Sequence, residues 1–84
     1  MQIDEVKNLI LQDLPDAEIH VQGEDCNFSV DVISTLFDSV TKLNRQRKVL
    51  GAVKEQIQNG DIHALSVKAF TPEEWAKQGE LKVL

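Results

Sequence analysis

Cysteine is almost absent from this chain: Cys26 is the only one among 84 residues. A single cysteine excludes a disulfide within the chain and is typical of a protein kept in a reducing compartment, so we expect a cytoplasmic location. Long apolar runs are also missing, and none approaches the ~20 residues that a membrane-spanning helix needs. We therefore expect residues 1–84 to form one small domain, with a flexible tail after about residue 79.

Signatures of the common enzyme classes are missing as well. The sequence contains no glycine-rich phosphate loop, no nucleophile elbow and no HExxH motif. Glu73 and Glu74 are adjacent acids, but a helix start explains them better than a pair of catalytic carboxylates does. Because a chain of this length also has little room for a deep pocket, we do not expect an enzyme.

The most informative stretch covers residues 61–75. Alternate residues after His63 are apolar, which predicts a strand with one buried face and places His63 at the rim of that face. Directly after the strand, Thr71 and Glu74 can form a capping box around Pro72 at the first helical position. A strand followed at once by a helix is therefore predicted here.

The preceding residues predict four further elements. Residues 2–14 have apolar side chains at three- and four-residue steps, the pattern of an amphipathic helix. Two alternating segments, 17–22 and 27–34, predict an antiparallel hairpin with its turn at residues 23–25, or with a longer loop that extends to Cys26. Residues 41–59 return to the helical period. The order is thus α-β-β-α-β-α.

The helix predicted at residues 41–59 should bury one face against the sheet. Gly51 lies inside it at a cost of roughly 1 kcal/mol relative to alanine, which a close approach of the helix to the sheet would explain. Such a helix also allows the third strand to pair in parallel with one hairpin strand. The expected buried residues are Leu43, Leu50, Val53 and Ile57, with Gln46 and Val49 at the margin.

Three strands cannot bury both of their faces without help from the helices. We therefore predict an α+β fold of the αββαβα type, a two-layer sandwich in which helices cover one face of a three-stranded mixed sheet. The crossover to the third strand should be right-handed, as such connections almost always are.

Charge is distributed unevenly along the chain. Residues 42–48 carry four positive charges and no acid, whereas the whole chain has a formal charge of −5, so the remainder carries −9. A solvated helix face with salt bridges is the first explanation, and a surface for an acidic partner protein is the second. Nucleic acid is a weaker alternative, since the surrounding negative charge opposes a phosphate backbone. The four residues are Lys42, Arg45, Arg47 and Lys48.

Few side chains could support metal or nucleophilic chemistry. His20 alternates with the inward residues of its strand, so we expect its ring to be exposed to solvent. Cys26 lies beside the hairpin turn, and His63 lies at the rim of a strand. One histidine with one cysteine cannot form a structural zinc site, which needs four protein ligands. The two residues could form half of a site shared with a second protein, and both are suitable ligands for a [2Fe–2S] cluster.

Three segments together resemble a known family. Residues 62–75, IHALSVKAFTPEEW, resemble the C-terminal signature of BolA-like proteins, and Leu36-Phe37-Asp38 and Asn44-Arg45-Gln46-Arg47 fit the family's middle segment. The resemblance covers nearly the whole chain and is closest to the short bacterial branch named IbaG or YrbA. It implies an αββαβα fold akin to the type II KH domain, in agreement with the order predicted above.

The resemblance also implies a partner and a cofactor. BolA-like proteins pair with monothiol (CGFS-type) glutaredoxins, and the heterodimer can hold a bridging [2Fe–2S] cluster with a glutathione on the glutaredoxin side. The histidine of the family signature falls on His63. Cys26 is the candidate second ligand, because family members carry a histidine or a cysteine in the loop between the first two strands. The expected docking residues are Arg45, Arg47, Lys48, Thr71, Pro72 and Trp75.

A KH-like DNA-binding regulator is the alternative implied by the same resemblance. It would act through the basic helix at 41–59, with Lys42, Arg45, Arg47 and Lys48 as contacts. A type II KH domain grips the nucleic-acid backbone through a GxxG loop, and the chain has no GxxG. We expect no cluster in the isolated protein, which should be a monomer or a weak homodimer with no membrane attachment.

Overall fold

The computed structural model describes residues 1–83 of the chain, and their side chains as far as residue 78. Its elements follow the predicted order, with a short 3₁₀ turn (Thr35–Phe37) after the second strand and a break in the helix predicted at 41–59. The predicted flexible tail falls on residues whose side chains lie outside this description. The elements are α1 (Ile3–Asp13), β1 (Glu18–Glu24), β2 (Asn27–Ile33), α2 (Lys42–Ala52), α3 (Lys54–Gln58), β3 (Ala64–Phe70) and α4 (Pro72–Val83).

The three strands form one mixed sheet in the order β1-β2-β3. β1 and β2 are antiparallel, whereas β2 and β3 are parallel, as a strand reached through a helical crossover can be. The predicted three-stranded mixed sheet and the α+β class are therefore confirmed. None of the helices within residues 1–83 is both long and apolar enough to cross a membrane.

The hairpin turn begins two residues later than predicted. Asp25 and Cys26 form the turn, Glu24 pairs with Asn27, and Asp25 takes the left-handed conformation with φ of 58°. Gly23 belongs to β1 instead of the turn. Its φ is 148°, and a Cβ at this position would collide with the carbonyl oxygen of Asn27. The glycine is thus needed for a close backbone approach, and Cys26 lies in the turn itself.

α1 and α2 cover one face of the sheet and enclose the core. Alternate residues of each strand point into this layer, as the period of two predicted, and Leu65, Val67 and Ala69 of β3 pack against it while remaining partly exposed. The core consists of Val6, Ile10, Leu14, Ile19, Phe28, Val30, Val32, Phe37, Val49, Val53 and Ile62.

The buried face of α2 differs from the prediction. Leu43, Leu50 and Ile57 are 57%, 37% and 39% exposed, whereas Arg45, Val49 and Val53 are buried at four-residue steps. The pattern of leucine and isoleucine misleads because an arginine occupies one of the interior positions. The helix then breaks at Val53, whose φ of −119° and ψ of 18° separate α2 from α3. Three large apolar side chains consequently face away from the core.

α4 begins at the end of β3 and brings an aromatic side chain onto the sheet face that α1 and α2 leave uncovered. Trp75 stacks on His20 at 5.4 Å between ring centroids, with an interplanar angle of 17°. It also packs against Phe70 at 5.2 Å with the rings tilted by 56°. His20 and Phe70 belong to the two outer strands, so Trp75 bridges the sheet from β1 to β3, a contact that the sequence did not predict.

Two glycines are expected to respond in opposite directions to substitution by alanine. No atom lies within 4 Å of a Cβ built on Gly51, so a close approach of the helix to the sheet does not explain this glycine. Gly51→Ala should therefore stabilise the protein by about 1 kcal/mol, the ordinary difference in helix propensity. Gly23→Ala, the control, should destabilise it, because the added Cβ meets backbone. Urea unfolding measures both, and a loss of stability in Gly51→Ala would contradict this assignment.

Candidate metal centre

The parallel pairing of β2 with β3 brings Cys26 and His63 to the same end of the sheet. Asn27 pairs with Ala64, and parallel strands start at the same end, so the residues that precede them are neighbours. The His63 N–H donates a hydrogen bond of 2.7 Å to the carbonyl oxygen of Cys26. The Ala64 N–H donates to the same oxygen at 3.3 Å. The backbone therefore fixes the two candidate ligands beside each other.

The segment before β3 is anchored so that His63 remains outside the core. Gly60, with φ of 87°, ends the helical region, and the side chain of Ile62 is buried. The Ile62 N–H also donates to the carbonyl oxygen of Gln56 at 3.0 Å. Ile62 precedes the strand and is buried, whereas His63 is exposed at the rim of the sheet, as the sequence predicts.

The imidazole of His63 and the thiol of Cys26 have no hydrogen-bond partner among residues 1–78. The side chain of His63 is exposed and Cys26 is partly buried, so a second protein could reach both. The second histidine of the chain differs, because His20 lies 2.9 Å from a carboxylate oxygen of Glu18 and stacks on Trp75. Of the two histidines, His63 is the one whose ring is not already engaged.

The donor set fits half of a [2Fe–2S] site. Each iron of such a cluster takes two ligands besides the bridging sulfides, and a cysteine thiolate with a neutral imidazole is a suitable pair. Within the described residues, no third histidine, cysteine, aspartate or glutamate joins a group that could enclose a metal ion. His63 and Cys26 can therefore serve one iron of a cluster whose other iron has ligands from elsewhere.

Comparison with known proteins identifies the family. The family model for BolA-like proteins matches residues 5–74. The chain belongs to the BolA-like protein family. It is 36% identical over 81 residues to the acid stress protein IbaG of Escherichia coli, which covers 96% of each chain and confirms the resemblance to the short bacterial branch.

Solved BolA structures have the same fold as this BolA-like protein. A BolA homologue from Coxiella burnetii superposes with a TM-score of 0.80 at 31% identity, covering 90% of this chain and 97% of that one. The solution structure of yeast Fra2 gives a TM-score of 0.71 at 35% identity, covering 92% and 86%. These similarities support the topology that places Cys26 beside His63.

Three predicted docking residues of this BolA-like protein lie far from that pair. Thr71 and Pro72 directly follow β3, whereas His63 directly precedes it, and seven residues of strand span roughly 20 Å or more. Thr71 is buried and caps α4, accepting the Glu74 N–H at 3.2 Å. Trp75 is half-buried on the opposite sheet face. The structure does not bring these three residues to the candidate ligands.

Arg45 has an internal role instead of a surface role. Only 6% of the residue is exposed, and its Nε donates to the carbonyl oxygen of Val40 at 2.9 Å. Its Nη1 donates to Glu74 Oε1 at 2.6 Å and to the Ala69 carbonyl oxygen at 3.3 Å. The guanidinium also lies 5.8 Å from the ring centroid of Phe37. The predicted partner-binding and nucleic-acid-binding roles of Arg45 are wrong, because its charge is enclosed and paired.

The remaining cations of the basic helix are exposed. Lys42, Arg47 and Lys48 all keep their side chains at the surface, so a role in binding a partner or nucleic acid stays a prediction for them. Their number falls from four to three once Arg45 is excluded.

The capping box predicted between Thr71 and Glu74 is confirmed, since the Thr71 N–H donates to Glu74 Oε1 at 2.9 Å.

Two carboxylates have lowered pKa values for local reasons. Hydrogen bonds from Arg45 and from the Thr71 backbone lower the pKa of Glu74 below its ordinary value of 4.5. The Thr35 and Ser34 hydroxyls lower the pKa of Asp16, donating to its carboxylate at 2.7 and 2.8 Å. Asp16 thereby holds the 3₁₀ turn that follows β2. The contact of Arg45 with Glu74 and that of Asp16 with the 3₁₀ turn could not be predicted from the sequence, because each joins residues far apart in the chain.

Glu74→Gln should reduce the free energy of unfolding near neutral pH by about 1–2 kcal/mol. The buried Arg45 would lose its counter-charge, while the partial exposure of Glu74 limits the effect. A lowered folded-state pKa also means that stability is present above pH 4.5 and is lost as the pH falls through the folded-state value. The acid-induced loss of stability should thus be smaller in Glu74→Gln than in wild type, with Asp16 accounting for part of the remainder.

Glu73→Gln is the matched control for this experiment. Glu73 is adjacent in sequence but exposed, and its contact with Lys77 at 3.5 Å is an ordinary surface pair on the same helix. Its replacement should change the unfolding free energy by less than about 0.5 kcal/mol. Chemical unfolding of both variants between pH 3 and pH 7 makes the comparison. Equal effects of the two substitutions would contradict the role given to Glu74.

Proposed function

We propose that this BolA-like protein is an adaptor that binds a monothiol glutaredoxin of the CGFS type and co-ligates a bridging [2Fe–2S] cluster through His63 and Cys26. It would act in iron–sulfur trafficking or in iron and redox regulation in the cytoplasm. The observation that carries the proposal is the hydrogen bond from the His63 N–H to the Cys26 carbonyl oxygen, which holds an exposed histidine next to a partly buried cysteine.

His63 and Cys26 would each contribute one donor atom to the same iron. His63 would use the lone pair of a neutral imidazole nitrogen, and Cys26 would use its thiolate. The glutaredoxin cysteine and a glutathione would ligate the other iron. A bound cluster would supply one-electron redox chemistry, and histidine ligation shifts its potential upward.

The backbone prepares this ligand pair before a partner arrives. One carbonyl oxygen, that of Cys26, accepts hydrogen bonds from two successive N–H groups, those of His63 and Ala64. The turn and the start of β3 are therefore joined without using either ligand side chain. Less ordering is required on binding, which favours complex formation by a small adaptor.

The surface around the pair indicates the charge of the partner. Asp25 forms the turn with Cys26, Glu24 precedes it, and Asp61 lies two residues before His63; all three acids are exposed. A docking surface at this end would thus be acidic, in contrast to the basic helix expected from the sequence. A glutaredoxin surface with positive charge near its cluster would be complementary.

His63→Ala should abolish the cluster-bridged heterodimer. We would titrate a cluster-loaded monothiol glutaredoxin with the wild-type chain and follow visible absorption, visible circular dichroism and gel filtration. Wild type should convert the glutaredoxin homodimer spectrum into a distinct heterodimer spectrum, and His63→Ala should not, while far-ultraviolet circular dichroism shows that it remains folded. Cys26→Ser should weaken or shift the same signal, since a hydroxyl is a poor donor to iron.

His20→Ala provides the matched control. It removes the other exposed histidine, whose ring contacts Glu18 and Trp75 at a site away from the pair. The heterodimer spectrum should persist in this variant. If wild type leaves the cluster spectrum unchanged and no complex elutes, the proposal fails. If His63→Ala behaves as wild type does, His63 is not a ligand.

A further inference from the structure

The three apolar side chains that α2 and α3 turn away from the core create a second surface feature. Leu43 and Leu50 are seven residues apart on one side of α2, and Ile57 lies on α3, beyond the break at Val53. Beside the last two lies a mostly apolar groove of about 430 Å³. The groove is lined by Arg47, Leu50, Gly51, Lys54, Ile57 and Gln58.

Packing within the protein does not explain this groove. Leu50 and Ile57 remain more than one third exposed, and neither belongs to the core. Gly51 has open space where a Cβ would lie, although glycine inside a helix is unfavourable relative to alanine. A missing side chain at this point keeps the groove open and lets another backbone approach α2 closely.

Charge at the edge of the groove indicates what could occupy it. Arg47 and Lys54 lie three and four residues from Leu50, and among the described residues neither forms an ion pair. The α2–α3 region has Glu55 as its one acid, while Arg45 is neutralised internally by Glu74. The groove thus combines an apolar wall with a positive rim on a protein that is otherwise acidic.

We propose that this groove binds an amphipathic helix of a partner protein, with aliphatic residues on one side and aspartate or glutamate beside them. Aliphatic residues would contact Leu50 and Ile57, and the acids would pair with Arg47 and Lys54. Gly51 would allow the close axial approach that small residues permit. The site lies on α2 and α3 and uses neither Cys26 nor His63, so it does not depend on the proposed function.

Two other occupants fit the groove less well. A nucleic-acid backbone would place phosphates against Leu50 and Ile57, which offer no hydrogen-bond donors. A second copy of this chain in a two-fold contact would bring the same positive rim toward itself, because both partners of such an interface use one patch. An acidic helix satisfies the apolar wall and the rim together.

The first test uses fluorescein-labelled synthetic peptides and the intact chain. One peptide is a three-heptad amphipathic helix with leucines on one face and glutamates flanking them, and the second replaces those glutamates by lysine. Fluorescence anisotropy should show saturable binding of the glutamate peptide, with affinity at least about tenfold above that of the lysine peptide. Absence of saturable binding by the glutamate peptide would overturn the proposal.

Three variants separate a docking role from a structural role. Gly51→Ala should raise the urea midpoint of unfolding and yet weaken the binding of the glutamate peptide. A purely structural role of Gly51 cannot produce both effects. Leu50→Ala should weaken the peptide about tenfold through lost apolar contact. Arg47→Glu combined with Lys54→Glu should reverse the preference and favour the lysine peptide. Unchanged affinity in Gly51→Ala would contradict the groove geometry.

His63→Ala keeps this site distinct from the cluster site. It should bind the glutamate peptide as wild type does, even if it no longer forms the heterodimer with a glutaredoxin. Light scattering of the free chain measures its mass and so tests whether a second copy of the chain occupies the groove. A dimer that Leu50→Ala dissociates would show that a second copy fills the groove and would overturn the proposal.

Discussion

The parallel pairing of β2 with β3 is the constraint on which the candidate site depends. Parallel strands begin at the same end of a sheet, so the turn before β2 and the segment before β3 must meet. In this chain those positions hold a cysteine and a histidine, separated by more than thirty residues in sequence. The hydrogen bonds to the Cys26 carbonyl oxygen then fix the contact at the level of the backbone.

The two ends of β3 are organised for different purposes. At its beginning, His63 is exposed and has a ring with no partner among the described residues. At its other end, Arg45 joins the Ala69 carbonyl oxygen to Glu74, and Trp75 packs on His20 and Phe70. One end is held by the ion pair of Arg45 with Glu74 and by the stacked rings, whereas the other end holds the exposed ring of His63. A small domain with few core residues gains from separating stability and binding in this way.

The strands, their order along the chain and the rim position of His63 could be predicted from the sequence, because alternation and the Thr71–Glu74 capping box depend on neighbouring residues. The buried face of α2 could not. Arg45 takes an interior position only because Glu74, almost thirty residues later, supplies its counter-charge. The turn was also misplaced, since Gly23 serves a close contact with Asn27 rather than the turn itself. Each of these two predictions failed because a contact between distant residues, or between backbone atoms, decided the structure, and the pattern of neighbouring residues does not show such contacts.

If His63 is a ligand of a cluster shared with a glutaredoxin, its ring nitrogen should couple magnetically to the reduced cluster. Pulsed electron paramagnetic resonance measures this coupling. This chain would be labelled with ¹⁵N-histidine, combined with unlabelled cluster-loaded glutaredoxin, and reduced by one electron. Ligation by His63 should give a strong ¹⁵N coupling to the cluster, which should persist in His20→Ala and vanish in His63→Ala. A reduced heterodimer cluster with no ¹⁵N coupling from this chain would contradict it.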